Sequence, residues 1–116
     1  MTHPEPPAAV AWADAQRKSD FERWLSPLAA QHGLKPETLR AASADASFRR
    51  YLRIDAGKGS SLIVMDAPPP QEDVRPFVKI AQLMQQAQLH GPQVLAADVE
   101  RGFLLLTDLG TRTYLA

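Results

Sequence analysis

The chain contains no cysteine, no excess of charge of either sign and no long apolar run. Without cysteine it has no disulfides, thiolate metal sites or cysteine nucleophile, which fits a reducing compartment, and we expect a cytoplasmic protein. Its 13 basic and 13 acidic side chains balance, so no broad field favours nucleic acid or an anionic membrane. No segment approaches the roughly 18 apolar residues of a membrane span. Its three scattered histidines form no i, i+4 pair, and we expect no metal site among them.

Prolines and one helical stripe organise the first third of the chain. Three of the ten prolines lie in residues 1–10, which we predict to be a flexible leader. Residues 19–22 (SDFE) match a capping box, and apolar residues follow at helical spacing. Pro27 is expected to kink or restart this helix; the alternative is a longer helix from about Ala11 with a second short turn that Gly33 closes. Both versions predict an N-terminal helix.

The rest of the chain alternates between strand and helix patterns. Residues 38–66 are predicted to form three strands, and the Gly-containing stretch 56–60 is the hairpin turn between the last two. Residues 74–88 show helical spacing, and residues 93–98 and 102–107 are two further strands. This order predicts an α+β fold: a five-stranded antiparallel sheet with one helix between strands 3 and 4, preceded by an N-terminal helix. In the second strand, Phe48 is predicted to share one face with Leu52, because side chains alternate.

Three ordered segments resemble a known family. Residues 42–51 are ASADASFRRY, residues 64–69 are VMDAPP, and residues 102–110 are GFLLLTDLG. With the predicted strand order, these segments resemble the aminoglycoside phosphotransferase family, whose N-terminal part has the fold of the small lobe of protein kinases. The nearest likeness is to the bacterial kinases that phosphorylate N-acetylmuramate and N-acetylglucosamine at the anomeric position. It extends from about residue 15 to the last residue.

The resemblance implies an ATP site on this lobe. The turn between the first two strands would cover the nucleotide phosphates, although it lacks the glycines that protein kinases use there. The last strand would lead into the interlobe hinge, with Leu106 near the base and main-chain groups of Asp108 and Leu109 at the adenine edge. The positions that the resemblance assigns to the nucleotide are Ala44, Asp45, Ala46, Ser47, Arg50, Met65, Leu106, Thr107, Asp108 and Leu109.

The third strand lacks the lysine that binds phosphates in protein kinases. Met65 stands where that lysine is expected, and residues 74–89 contain no acid to pair with it. We interpret Met65 as a packing residue that faces the adenine or the core. The candidates for the missing cation are Arg49, Arg50 and Arg53. Arg50 is slightly preferred; in the alternative, these arginines are solvated or paired with the aspartates at positions 45, 55 and 66.

The resemblance also implies a second lobe. The related enzymes hold the catalytic aspartate, a neighbouring asparagine and a magnesium-binding aspartate there, and no His-x-Asp motif occurs in this chain. We expect residues 11–109 to be the nucleotide-binding lobe, residues 110–116 to begin the catalytic lobe, and this segment to be inactive alone. The magnesium ion and the amino-sugar acceptor would bind the second lobe. The alternative function is a stand-alone protein-interaction or regulatory module.

A surface that a second lobe would cover is expected to be apolar. Met65, Leu106 and Leu109 are predicted to expose a patch on this interlobe face. Exposed apolar patches promote association. We therefore expect dimers or weak aggregation of this segment.

Overall fold

The computed structural model describes residues 10–12, 14–44 and 48–108. The elements are α1 (Ala15–His32), β1 (Lys35–Ala44), β2 (Arg50–Asp55), a 3₁₀ turn (Gly57–Gly59), β3 (Ser61–Asp66), α2 (Arg75–Gln86), β4 (Val94–Asp98) and β5 (Phe103–Thr107). The strands form one antiparallel sheet in the order β1-β2-β3-β5-β4. The predicted α+β class is therefore confirmed, with one helix before the sheet and one between its third and fourth strands.

Helix α1 begins about one turn earlier than the predicted capping box. Asp14 is its N-cap, and the Asp14 carboxylate accepts a hydrogen bond of 2.9 Å from the main-chain nitrogen of Gln16. The start predicted at residues 19–22 is wrong, and the alternative start at about Ala11 is about one turn too early, because Asp14 supplies the capping oxygen between them. Pro27 lies inside the helix without ending it, and Gly33 closes it with a φ of 66°, as predicted.

Both faces of the sheet are buried, each beneath one helix. Because side chains alternate along a strand, one set of residues points toward α1 and the other toward α2. On the α1 face, Phe21 and Leu25 of the helix pack with strand residues Leu52, Ile54, Val64, Phe103 and Leu105. On the α2 face, Val74 and Val78 pack with strand residues Tyr51, Ile63, Met65, Leu104 and Leu106.

One detail differs from the predicted strands. Phe48 lies before β2 with 66% of its surface exposed, so its predicted place beside Leu52 is wrong. The ladders to both neighbouring strands begin at Arg50, and nothing in them fixes Phe48 on the pleat. The hairpin turn is confirmed, with Gly59 at a φ of 76°. Among the described residues, neither helix is long and apolar enough to span a bilayer.

Candidate nucleotide site

The residues predicted to bind a nucleotide lie on both faces of the sheet. Met65 of β3 and Leu106 of β5 are on the α2 face, and their strands are neighbours. Arg50 is on the α1 face, because it lies opposite Asp66 and in register with Leu52 and Ile54. Ala44 ends β1, and the positions Asp45, Ala46, Ser47 and Leu109 lie outside the described residues.

Met65 and Leu106 have no exposed surface in this structure. The expectation that they form an exposed apolar patch is therefore wrong. β3 is the middle strand of the sheet, and the α2-face cluster that includes Tyr51 and Leu104 encloses both side chains. Met65 is instead the packing residue that the sequence predicted.

Arg50 takes part in a partly buried ion-pair network on the α1 face. Its Nε donates to Asp66 at 2.7 Å, and its Nη1 donates to the carbonyl of Ala11 at 2.7 Å. Arg17 of α1 donates its Nε to the other oxygen of Asp66 at 2.8 Å. The Arg50 guanidinium also lies 4.5 Å from the centre of the Trp12 ring, a cation–π distance. Arg50 is therefore paired with an aspartate, Asp66, as the alternative interpretation predicted.

Asp108 joins the end of β5 to the hairpin β2–β3. Its carboxylate accepts two hydrogen bonds from Arg53, of 2.8 Å from Nε and 3.3 Å from Nη2. The Ser61 hydroxyl donates a third, of 2.6 Å. The Asp108 side chain is thus held from two strands at the point where the resemblance places the hinge. Thr107, beside it, accepts a hydrogen bond of 2.9 Å on its hydroxyl from the nitrogen of Gln93.

Arg49 pairs with an acid that the sequence prediction did not consider. Its Nε donates to the Glu72 carboxylate at 3.1 Å, and the two side chains are 23% and 14% exposed. Burial lowers the pKa of Arg49, but Tyr51 and Glu72 outweigh it, and the pKa lies above its usual value. Tyr51 belongs to the α2-face cluster and is paired across the ladder with Met65. Arg49 is therefore directed to the same face as Met65, opposite to Arg50.

Two open clefts flank these clusters. The first, of about 690 Å³, runs along the start of α1, where Trp12, Arg17, Phe48 and Arg101 are among its lining residues. The second, of about 750 Å³, lies between α2 and β4 and is lined by glutamines and small apolar residues. Met65 and Leu106 line neither cleft. Within residues 10–12, 14–44 and 48–108, no three His, Asp or Glu side chains converge as a metal-binding group would require.

Arg17 and Glu72 are the two important residues that the sequence prediction missed. Arg17 is separated from its acceptors at Asp66 and Arg101 by 49 and 84 positions, so no local pattern points to it. Glu72 precedes α2, and the predicted helix, residues 74–89, contains no acid. The signal in the sequence is the acidic pair Glu72-Asp73 directly before the helix.

Comparison with known proteins agrees with the fold. The sequence profile described as the phosphotransferase enzyme family matches residues 38–116. An N-acetylmuramate/N-acetylglucosamine kinase of Pseudomonas aeruginosa is 62% identical over 80 residues, and one of Pseudomonas putida is 62% identical over 78 residues. A kinase with the same name from Neisseria meningitidis is 40% identical over 100 residues.

These alignments cover most of this chain but only a small part of each relative. They cover 69%, 67% and 86% of this chain, but only 23%, 23% and 28% of the three kinases. The chain thus spans about a quarter of the length of the curated relatives that it matches.

Proposed function

Because the chain belongs to the phosphotransferase enzyme family, we propose that it is the ATP-binding small lobe of a kinase for cell-wall amino sugars, N-acetylmuramate and N-acetylglucosamine. The observation that carries this proposal is the 62% identity to two kinases of that name. The five-stranded sheet with a helix between β3 and β4 supports it, since that is the architecture of a kinase small lobe. The proposal assigns the acceptor sugar and the catalytic groups to a second lobe and the protein to the cytoplasm.

The α2 face suits an adenine base in its chemistry. Ile63, Met65 and Leu106 present branched and thioether groups, which favour contact with a flat aromatic surface. All three are fully buried, so a base can reach them only when the groups over this face move. The affinity of the chain for ATP would then be reduced by the fraction of molecules in which the face is open.

Binding of the phosphates and binding of a magnesium ion require different groups from the chain. When bound, Mg²⁺ would offset the negative charge of the phosphates. The described residues contain no cluster of carboxylates that would hold it. We therefore propose no magnesium ligand in this part of the chain, only nucleotide contacts from the α2 face, the connection between β1 and β2, and the hinge side of β5.

The first experiment is a calorimetric titration of the 116-residue chain with Mg-ATP. In parallel, the matched segment of the Pseudomonas aeruginosa kinase is replaced by this chain, and ATP consumption is measured with and without each amino sugar. We expect the chain to bind ATP and the chimera to consume ATP only when N-acetylmuramate or N-acetylglucosamine is present. The unaltered kinase is the positive control.

The other function is a protein-interaction module, which one observation favours. Ile80 and Leu83 on the outer side of α2 are 58% and 52% exposed, and such apolar side chains suit contact with another protein. A folded chain that binds no ATP, with a folded chimera that shows no sugar-dependent ATP consumption, would overturn the kinase proposal in favour of this module.

A further inference from the structure

Nucleotide phosphates bound on the α2 face would need a cation there. The third strand offers none, since Met65 is apolar and fully buried. We infer that Arg49, held by Glu72, is the residue that binds the nucleotide phosphates in place of the missing lysine. This inference rests on the proposed function and names the cation of the same site.

The place of Arg49 in the fold supports this role. It directly precedes β2, at the end of the β1–β2 connection that would cover the phosphates. Its pairing with Glu72 and its interaction with Tyr51 direct the guanidinium to the α2 face. Tyr51 is the cross-strand partner of Met65, so the residue with which Arg49 interacts lies beside the strand position where a lysine is expected.

The other two arginines are placed less favourably. Arg50 points to the opposite face, where Asp66 and the carbonyl of Ala11 accept its hydrogen bonds. Arg53 is on the α2 face, but its Nε and Nη2 both donate to Asp108 at the far end of the hairpin. A phosphate at Arg53 would have to displace a two-point ion pair from a carboxylate that is itself held by Ser61.

The pair of Arg49 and Glu72 reproduces the physical role of the lysine–glutamate pair in protein kinases. There, an acid associated with the helix after the third strand holds the cation toward the phosphates. Here Glu72 lies in the segment that leads into α2 and contacts Nε of Arg49. This contact can persist while the two Nη atoms of Arg49 exchange their partners for phosphate oxygens. A planar guanidinium group can bind two such oxygens at once.

The test compares ATP with adenosine, which lacks the phosphates. Both are titrated calorimetrically into the wild-type chain and into Arg49→Gln, Arg49→Lys and the double variant Arg49→Gln/Glu72→Gln. We expect Arg49→Gln to weaken ATP binding roughly 10- to 100-fold and to leave adenosine binding unchanged, because it removes only contacts to charged oxygens. Arg49→Lys keeps the charge and should restore part of the preference for ATP.

Two controls separate this role from a structural one. Arg23→Gln removes the same charge from an exposed position on α1 and should bind both ligands like the wild type. The double variant removes both charges of the pair, so it leaves no unpaired Glu72 and should remain folded even if Arg49→Gln does not. Thermal unfolding of each variant, followed by circular dichroism, establishes that it is folded.

Each result decides the inference. Loss of the preference for ATP over adenosine in the Arg49 variants, but not in Arg23→Gln, supports it. A folded Arg49→Gln or double variant that binds ATP as tightly as Arg23→Gln overturns it and leaves the proposed function standing. A folded wild-type chain that binds neither ATP nor adenosine, together with a folded chimera that shows no sugar-dependent ATP consumption, overturns the proposed function, and the inference with it.

Discussion

The carboxylate of Asp66 accepts hydrogen bonds from arginines of two different layers, Arg17 of α1 and Arg50 of β2. Among the residues that the structure describes, Asp66 is the one charged residue that is buried, with 4% of its surface exposed. Arg17 also donates to the carbonyls of Arg101 and Gly102 in the turn between β4 and β5. At the scale of single residues, Asp66 therefore connects a helix, two adjacent strands and a distant turn through one charge.

Removing this charge should destabilise the fold. Asp66→Asn leaves Arg17 and Arg50 partly buried without their counter-charge, and we expect the free energy of unfolding to fall by roughly 3 kcal/mol. Urea unfolding measures the change. The matched control is Asp55→Asn, whose half-exposed pair with Arg40 should contribute about 1 kcal/mol or less. Equal losses in the two variants would contradict the importance of burial at Asp66.

Such pairings mark the limit of prediction from the sequence at this scale. The sequence predicts the arginines beside and within β2 as candidates for contact with phosphate, because a guanidinium can bind two phosphate oxygens at once. The acid with which each arginine forms an ion pair depends on the neighbouring strand and on the helix that covers that face of the sheet. Asp66 was among the alternatives for Arg50, but Glu72 for Arg49 was not, since the two are joined only when the segment before α2 folds back.

At the scale of elements, the turn between β4 and β5 is held close to the end of β3. The main-chain nitrogen of Ala67 donates to the carbonyl of Gly102 at 2.9 Å. Gly102 has a φ of 77°, and a Cβ at this position would overlap the carbonyl oxygen of Ala67. Glycine is needed here for both its left-handed backbone and its lack of a side chain.

We predict that Gly102→Ala is more damaging than Gly33→Ala. Gly33 has a φ of 66°, but a Cβ there would meet its nearest atom at an ordinary 3.6 Å. Its substitution should cost about 1 kcal/mol from backbone strain alone. Gly102→Ala adds a main-chain displacement, and we expect roughly 3 kcal/mol or more. Denaturant unfolding of both variants checks the order, and a smaller loss at position 102 would contradict it.

The elements themselves were largely predictable, and their ends less so. The alternation in β2 and β3 and the helical spacing of α2 are local patterns, and both are found where they were expected. The start of α1 was misplaced because residues 19–22 and Asp14 both offer capping oxygens. The earlier start brings Arg17 into the helix, where its Nε donates a hydrogen bond to Asp66 of β3, a contact far away in the sequence.

At the scale of the whole molecule, the sheet is the middle layer between two helices. The family profile begins at residue 38, after α1, yet α1 covers the face that contains Leu52, Ile54 and Phe103. The ring of Phe103 lies 5.5 Å from Phe21 and 5.4 Å from Trp24, both on α1. The helix is thus part of the core of this lobe rather than an appendage to it.

We therefore predict that residues 34–116 do not fold without α1. Its loss would expose a continuous apolar face of β2, β3 and β5, and we expect aggregation or the absence of a cooperative thermal transition. Residues 10–116, which keep the helix, are the control and should unfold cooperatively. Thermal denaturation with light scattering measures both. A cooperative transition of the shorter chain at the same temperature would refute this role of α1.

The strand order also bears on how the molecule is made. Among the strands that the structure describes, β5 is the last in the sequence, but it lies inside the sheet, between β3 and β4. On the ribosome, the nascent chain can form the local hairpin of β2 and β3 early, whereas β3 lacks its second partner until Phe103–Thr107 has emerged. During that interval an apolar strand has an open edge, the feature that invites pairing with other chains. A pause in translation just before residue 103 would therefore prolong the interval in which β3 can pair with other chains.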